Sequence, residues 1–335
     1  METNNKNRNT TILVTGGAGF IGSTLCDFLI EKKHQVVCLD NFDDFYSEEI
    51  KLSNIKELLK IPKFHLIKGD IRNSKIIEEI FSTFKIDCVV HLAAKAGVRS
   101  SIDNISDYFD VNVNGTITLL ESMRKYDVKN FVFSSSSSVY GNQNSIALEE
   151  EVSNKPISSY ASSKITGELL SHNYYHSFDF KIINLRFFSV YGPRQRPDLV
   201  LHKFFNQISN KKAITVYGNG TQVRDFTHVN DTIQAIYSSI NVCTNTDVKL
   251  YETLNIGNNK AISLNDIIQL IQEYYPSKIE IEYKLKIRED VDNTCADISK
   301  AKEVIKYQPK VTIKKGISSF HDWYNEIITC NKLHL

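Results

Sequence analysis

The chain has 335 residues, 41% of them hydrophobic and 24% charged, with 40 Lys and Arg against 39 Asp and Glu. That length accommodates about two domains, or one large α/β unit with an appendage, around a sizeable core. A formal net charge of +1 provides no long-range field for nucleic acid or an anionic membrane, so an anionic ligand must be held by a few local charges.

No apolar run approaches the roughly 20 residues of a membrane span. The opening METNNKNRNT is polar and Asn-rich, which predicts a disordered tail over residues 1–10 and a cytoplasmic location without a signal segment. The six cysteines, Cys26, Cys38, Cys88, Cys243, Cys295 and Cys330, are scattered. With no CxxC pair and no Cys/His cluster they read as reduced core residues, and no metal site is expected.

In chain order, TILV (Thr11–Val14) predicts a first strand, followed by a Gly-rich turn and a helix near Ile21–Glu31. QVVCL (Gln35–Leu39) predicts a second strand, then a charged helical region runs to Leu59 and KFHLIK (Lys63–Lys68) gives a third strand. A helix precedes IDCVVHLA (Ile86–Ala93), a further helix covers about Tyr108–Lys125, and NFVFSS (Asn130–Ser135) follows. The last pair is a helix over about Ser159–Tyr175 and the strand KIINLRFF (Lys181–Phe188). Short apolar runs separated by helices require crossover connections, so the expected fold is α/β: a doubly wound parallel sheet of the Rossmann type. The expected division is a dinucleotide-binding domain over residues 11–190 and a smaller mixed α/β substrate domain over 191–335. Exchange of chain between the two is allowed.

The first turn reads Thr15-Gly16-Gly17-Ala18-Gly19-Phe20-Ile21-Gly22, with glycines at i, i+3 and i+6 entering a helix. Such a loop lets backbone approach a pyrophosphate at the helix N-terminus. Asp40 closes the second strand 18 residues past Gly22, where a carboxylate accepts both adenosine ribose hydroxyls and repels a 2′-phosphate. Asn41 follows it rather than Arg, so NAD is expected over NADP. Asp70 can accept the adenine amine and Ile71 can cover the ring.

Tyr160 and Lys164 stand at i and i+4 of a predicted helix, which places a phenol and an ammonium on one face. The ammonium and a cationic nicotinamide favour the phenolate, making it a usable base. A serine run, Ser134–Ser138, ends the expected strand that begins at Asn130 and can present a hydroxyl to the same substrate proton. Downstream, Tyr191-Gly192-Pro193-Arg194-Gln195-Arg196-Pro197-Asp198 carries two arginines two residues apart. In an extended segment both would project to one side, suited to a carboxylate or phosphate.

TGGAGFIG, HLAA, FSSSSSVYG, YxxxK and LRFF, in this order over about Thr11–Ser318, resemble the extended short-chain dehydrogenase/reductase family and its nucleotide-sugar epimerases and dehydratases. The resemblance implies a catalytic triad of Ser136, Tyr160 and Lys164. It adds Phe20, Ile21, Leu92, Ala93, Ala94, Asn112, Ser134 and Phe187 to the NAD site, and it implies a homodimer through the helices near residues 108–125 and 159–175. Dehydrating members carry an Asp-Glu pair just after the catalytic hydroxyl; here those positions are Ser137 and Ser138, which points to 4-epimerisation.

GPRQRPD, GVRSS and GNGTQVRDFTHVND most resemble the UDP-glucuronate 4-epimerases. That resemblance implies a UDP-sugar substrate met by Arg99, Ser137, Ser138, Ser189, Arg194, Arg196, Arg224 and Arg288, with Arg196 preferred over Arg194 for the sugar carboxylate. Arg288 departs from the family's spacing, lying two residues before Asp290 with Glu289 in the glycine position. A UDP-glucose or UDP-N-acetylglucosamine 4-epimerase, then a UDP-glucuronate decarboxylase, are the alternatives, and polysaccharide precursor supply is the expected setting.

Overall fold

The computed structural model describes residues 10–143, 147–148, 150–151, 154–285 and 293–332. Side chains alternate across a strand, so a strand buried on both faces must be apolar at successive positions. That holds for β1 (Thr11–Thr15), β2 (Gln35–Asp40), β4 (Cys88–His91) and β5 (Asn130–Ser136), with β3 (Phe64–Lys68) at one edge. After the two-residue β6 (Ala147–Leu148), β7 (Lys181–Phe187) continues the same sheet.

Alternation assigns the two faces. Ile12 and Val14 enter one core with Leu25 and Leu29 of α1 (Phe20–Glu31), beyond which lies α2 (Glu48–Ile55). Leu13 enters the other with Ile77 and Ile80 of α3 (Ser74–Thr83). The short α4 (Ile105–Phe109) leads to α5 (Gly115–Lys125), whose Leu119, Leu120 and Met123 join that second core beside α6 (Ser159–Phe178). Each fully buried Leu or Ile contributes about 1.5–3 kcal/mol relative to exposure.

The helix expected over Tyr108–Lys125 is interrupted: it begins at Ile105 and passes through a π turn at Asp110–Asn114. The wider turn accompanies hydrogen bonds of the Asn112 amide to both backbone groups of Lys95 and to the Ser163 hydroxyl, and π turns of this kind gather at functional sites.

Beyond β7 the chain forms β8 (Ser189–Tyr191), α7 (Val200–Ser209), β9 (Ile214–Tyr217) and β10 (Val223–His228). It then returns: α8 (Val229–Asn245) packs on the first core, and β11 (Leu250–Ile256) pairs with β7. The main sheet therefore has seven parallel strands in the order β11-β7-β5-β4-β1-β2-β3. Its last strand comes from beyond residue 190, so a break at 190 leaves the sheet short of one edge.

Later in the chain β14 (Cys295–Ala296) pairs with β6, and α10 (Ser299–Ile305) returns to the first core through Ala301 and Ile305. The smaller layer is completed by β12 (Ala261–Ser263), α9 (Leu264–Gln272), β13 (Ile281–Lys284) and α11 (Ile313–Lys332). Leu201, Phe204, Phe205, Phe226, Ile267 and Phe320 lie at its own apolar centre. Among the described residues no helix is long and apolar enough to cross a membrane.

Candidate active site

Backbone geometry fixes the glycine loop. Gly16 has φ +69°, and a Cβ there would stand 2.8 Å from the Ala93 nitrogen; at Gly22 it would overlap the Gly16 carbonyl oxygen. Helix α1 starts after Gly19 with no side-chain cap and no acidic residue in its first turn, which leaves N–H groups of the Phe20-Ile21-Gly22 turn for an anion. Asp40 is buried beside this loop and accepts N–H bonds from Ala18 (3.0 Å) and Phe42 (2.9 Å). An ionised carboxylate retains further lone pairs for ribose hydroxyls. The loop and Asp40 thus fit the pyrophosphate and ribose of NAD. Gly22→Ala should lose bound NAD, read from the absorbance of the purified protein, and lower the unfolding temperature, because backbone rather than a flexible side chain blocks the added methyl.

Asp70 has partners that spacing did not reveal. Arg72 holds it by Nε and Nη2 at 2.9 and 2.8 Å and Asn41 donates at 3.0 Å; the Arg72 bonds, ahead of the opposing burial, pull its carboxyl down to about 2. Ile71 is 4% exposed and packs in the second core against Gly115, a core position rather than an open platform for a ring. Leu92 and Ala93 donate N–H to the carbonyl and hydroxyl of Thr15, so this loop, continuing through Ala94, is tied to the glycine turn.

Around the strand ends, β5 and α6 bring the expected trio together. Lys164 Nζ donates to the Ser134 carbonyl at 2.7 Å and lies 6.0 Å from the Tyr160 ring centre. The Ser136 hydroxyl, which donates to Ser138 Oγ at 3.1 Å, lies beside the Tyr160 phenol. Burial pushes the phenol up, while Ser136 and the nearby Arg196 charge pull it down. Burial also pushes the Lys164 ammonium down to about 7, opposed by Glu168. Phe187 pairs in register with Ser136 at the end of β7. His91 bonds Thr15 and Thr116 through its two nitrogens and is pushed down to about 3 by burial and Lys164, so it is neutral.

The two arginines do not project together. Gly192-Pro193-Arg194-Gln195 is a turn closed at 3.1 Å, with Arg194 at φ +67°, and Arg196-Pro197-Asp198-Leu199 is a second turn closed at 3.1 Å. Proline favours the second position of such turns and a positive φ the third, so the segment folds back instead of extending. Arg194 pairs with Asp27 of α1 at 2.6 Å. Arg196 turns toward Tyr160, with its Nε and Nη2 on Asp198 at 2.9 Å each and its guanidinium over Phe45. Its Nη1 has no hydrogen bond among the described residues.

Ser137 and Ser138 form a 3₁₀ turn directly after Ser136, which accepts the Ser138 N–H. Ser189 opens β8 opposite Phe226. Arg99, in the turn after the Ala94 loop, stacks on Tyr217 of β9 at 4.7 Å. Arg224 lies on β10 with Nη1 on the Val223 carbonyl; the next residue, Asp225, is structural, accepting N–H bonds from Asn258, Asn259 and Ala296. Arg288 lies outside the described residues.

The sequence profile of the GDP-mannose 4,6 dehydratase family, a group of extended short-chain dehydrogenases/reductases, matches residues 13–320. The chain belongs to this family. A relative from Thermodesulfobacterium geofontis named UDP-glucuronate 4-epimerase is 38% identical over 317 residues, covering 94% of this chain and 96% of that protein. The crystal structure of UDP-glucuronic acid 4-epimerase from Bacillus cereus, in complex with UDP-glucuronic acid and NAD, is 34% identical with a TM-score of 0.89, over 95% of this chain and all of that one. UDP-glucose 4-epimerase from Thermotoga maritima, with UDP-glucose, is 30% identical with a TM-score of 0.85, over 95% and 100%.

Family motifs do not reach every group at the site. Tyr108 meets Tyr160 edge-on at 6.4 Å, and its hydroxyl is held by Ser100 and the Ala96 carbonyl. Phe45 and Tyr46, from the turn after β2, face Arg196. The aromatic run FDDFY at residues 42–46, placed in a loop rather than a strand or helix, was the available signal for the latter pair.

Proposed function

We infer that the chain catalyses reversible epimerisation at carbon 4 of UDP-glucuronate, giving UDP-galacturonate, with NAD held on the glycine loop. The observation that carries this is the set of groups around Tyr160: a hydroxyl partner in Ser136, a guanidinium in Arg196, and serines rather than carboxylates at 137 and 138. Elimination of water needs an acid/base pair at those two positions, which serine hydroxyls do not provide. Overall likeness to the T. geofontis and B. cereus enzymes supports the same substrate.

Bound NAD supplies an acceptor, and then a donor, for a hydride at carbon 4. Tyr160 takes the 4-hydroxyl proton and returns it after the sugar has turned over about its bond to the diphosphate. Ser136 hydrogen-bonds the reacting oxygen, and Lys164 supplies positive charge one turn along α6. The 4-keto sugar is a β-keto acid, which loses carbon dioxide when its carboxylate bond stands perpendicular to the carbonyl plane. Asp198 takes one edge of Arg196, so Nη1 and the hydroxyls of Ser137, Ser138 and Ser189 remain to hold the carboxylate in another orientation. Arg224 serves the diphosphate in this reading, with Arg99 at the sugar end, while Arg194 braces the loop against α1.

A homodimer through α4, α5 and α6 belongs to the same reading; the apolar Ile105 and Leu169, 55% and 66% exposed, support it. A cytoplasmic location is supported by five buried free cysteines. The test is incubation with UDP-glucuronate, UDP-glucose and UDP-N-acetylglucosamine in turn, followed by separation of products. UDP-galacturonate is expected; conversion of the neutral sugars alone, or release of a UDP-pentose, would replace this function. Arg196→Ala should raise KM for UDP-glucuronate about 10- to 100-fold, the range of a charged hydrogen bond, with little change for any UDP-glucose turnover. Equal losses would remove Arg196 from the carboxylate.

A further inference from the structure

We propose that Glu168 is a positioning residue for the reaction: its carboxylate, clamped by Ser135 and Arg186 one helical turn beyond Lys164, keeps the Lys164 ammonium charged and aimed at Tyr160. This deepens the function proposed above and rests on it.

Helix α6 and strand β5 meet residue by residue. Lys164 is held by the Ser134 carbonyl, and Glu168, four residues further along the helix, accepts a hydrogen bond from the hydroxyl of Ser135, the next strand residue. Ser135 and Arg186 are register partners on β5 and β7. Arg186 closes the clamp with Nε on Oε1 at 2.9 Å and Nη2 on Oε2 at 2.7 Å. Both side chains of this ion pair are about 5% exposed or less. The guanidinium lies against the Tyr140 ring at 4.8 Å and donates to the Glu150 carbonyl, so the charges run ammonium, carboxylate, guanidinium from the reaction centre outward.

Burying an ion pair is weak evidence for stability alone, because the desolvation cost offsets the attraction. Its orientation gives it a use. Lys164 is buried, and burial favours its neutral form, which could not support a phenolate. The other groups facing it offer no negative charge: His91 from β4 is neutral, and Phe133 and Ser134 from β5 are uncharged. Tyr160 on the same helix is the group to be ionised, with the cationic Arg196 and the phenol of Tyr108 beside it. Glu168 is the carboxylate that acts on Lys164.

The test compares NAD-loaded wild type, Glu168→Gln and Glu168→Asp by two readouts: kcat for UDP-glucuronate against pH, and phenolate absorbance near 295 nm titrated without substrate. In Glu168→Gln the acid limb of kcat and the phenolate midpoint should rise together by about one pH unit, the scale of a lost opposite charge. Activity then falls about tenfold at neutral pH and recovers as pH rises; Glu168→Asp should restore most of the midpoint. An even loss across pH with an unmoved phenolate midpoint, or an Asp variant indistinguishable from Gln, overturns the proposal. Should Glu168→Gln fail to fold with a bare guanidinium inside, Glu168→Gln with Arg186→Gln removes both charges and must show the same shift. A wild type that leaves UDP-glucuronate unchanged would sink the functional reading, whereas the titration needs no turnover and still decides the role of Glu168.

Discussion

Tyr160→Phe is expected to lower kcat for UDP-glucuronate by about 10²- to 10⁴-fold, the usual contribution of a positioned proton acceptor. Binding of NAD and of the nucleotide sugar should change little. The substitution removes one oxygen and leaves its surroundings in place: Lys164 keeps the Ser134 carbonyl, Ser136 keeps Ser138, and the ring still meets Tyr108 edge-on. No neighbour can substitute as the base, since His91 is already bonded through both nitrogens. Product formation in single turnovers gives the rate, and calorimetry gives the affinities. A loss below about fivefold, well short of that general-base contribution, would mean that another group takes the proton.

Arg186→Met should destabilise the fold by about 3–5 kcal/mol, because it leaves the Glu168 carboxylate buried without its partner. The guanidinium also ties three segments together, bonding Glu168 of α6, stacking on Tyr140 and donating to the Glu150 carbonyl. Tyr140 in turn donates to Asn255 of β11 at 2.7 Å, so the loss is expected to loosen the β7–β11 edge. The checks are a lower urea midpoint than wild type and faster amide exchange in β11. A midpoint within about 0.5 kcal/mol of wild type, the range of an ordinary surface change, would show that the carboxylate has found another partner or a proton.

The parallel sheet was legible because strands covered on both faces must be apolar at consecutive positions, and β1 and β2 are. The glycine loop was legible because Gly16 and Gly22 meet backbone, where no side chain fits. Tyr160 and Lys164 share a face by helical geometry alone. What failed to show depended on conformation or on distant pairing. Arg194 and Arg196 were read on an extended segment, yet two proline-led turns separate them. The π turn at Asp110–Asn114 adds a local widening that apolar spacing does not register. Arg186 and Glu168 sit on different elements, and nothing local to either residue names the other. Strand β11, LYETLNI, mixes polar and apolar positions, so its place in the parallel sheet shows only in its pairing with β7.

That late return of the chain constrains how new sugar preferences can arise. Because α8 and β11 go back to the first layer, and α10 does so again between α9 and α11, the substrate-facing half is not a contiguous cassette. A chimera spliced at a single junction near residue 190 would carry off an edge of the cofactor half with it. Shuffling between relatives therefore requires crossovers on both sides of 229–256 and again around 295–305, or exchange of individual loops, and point changes in the turns are the easier route to a different sugar.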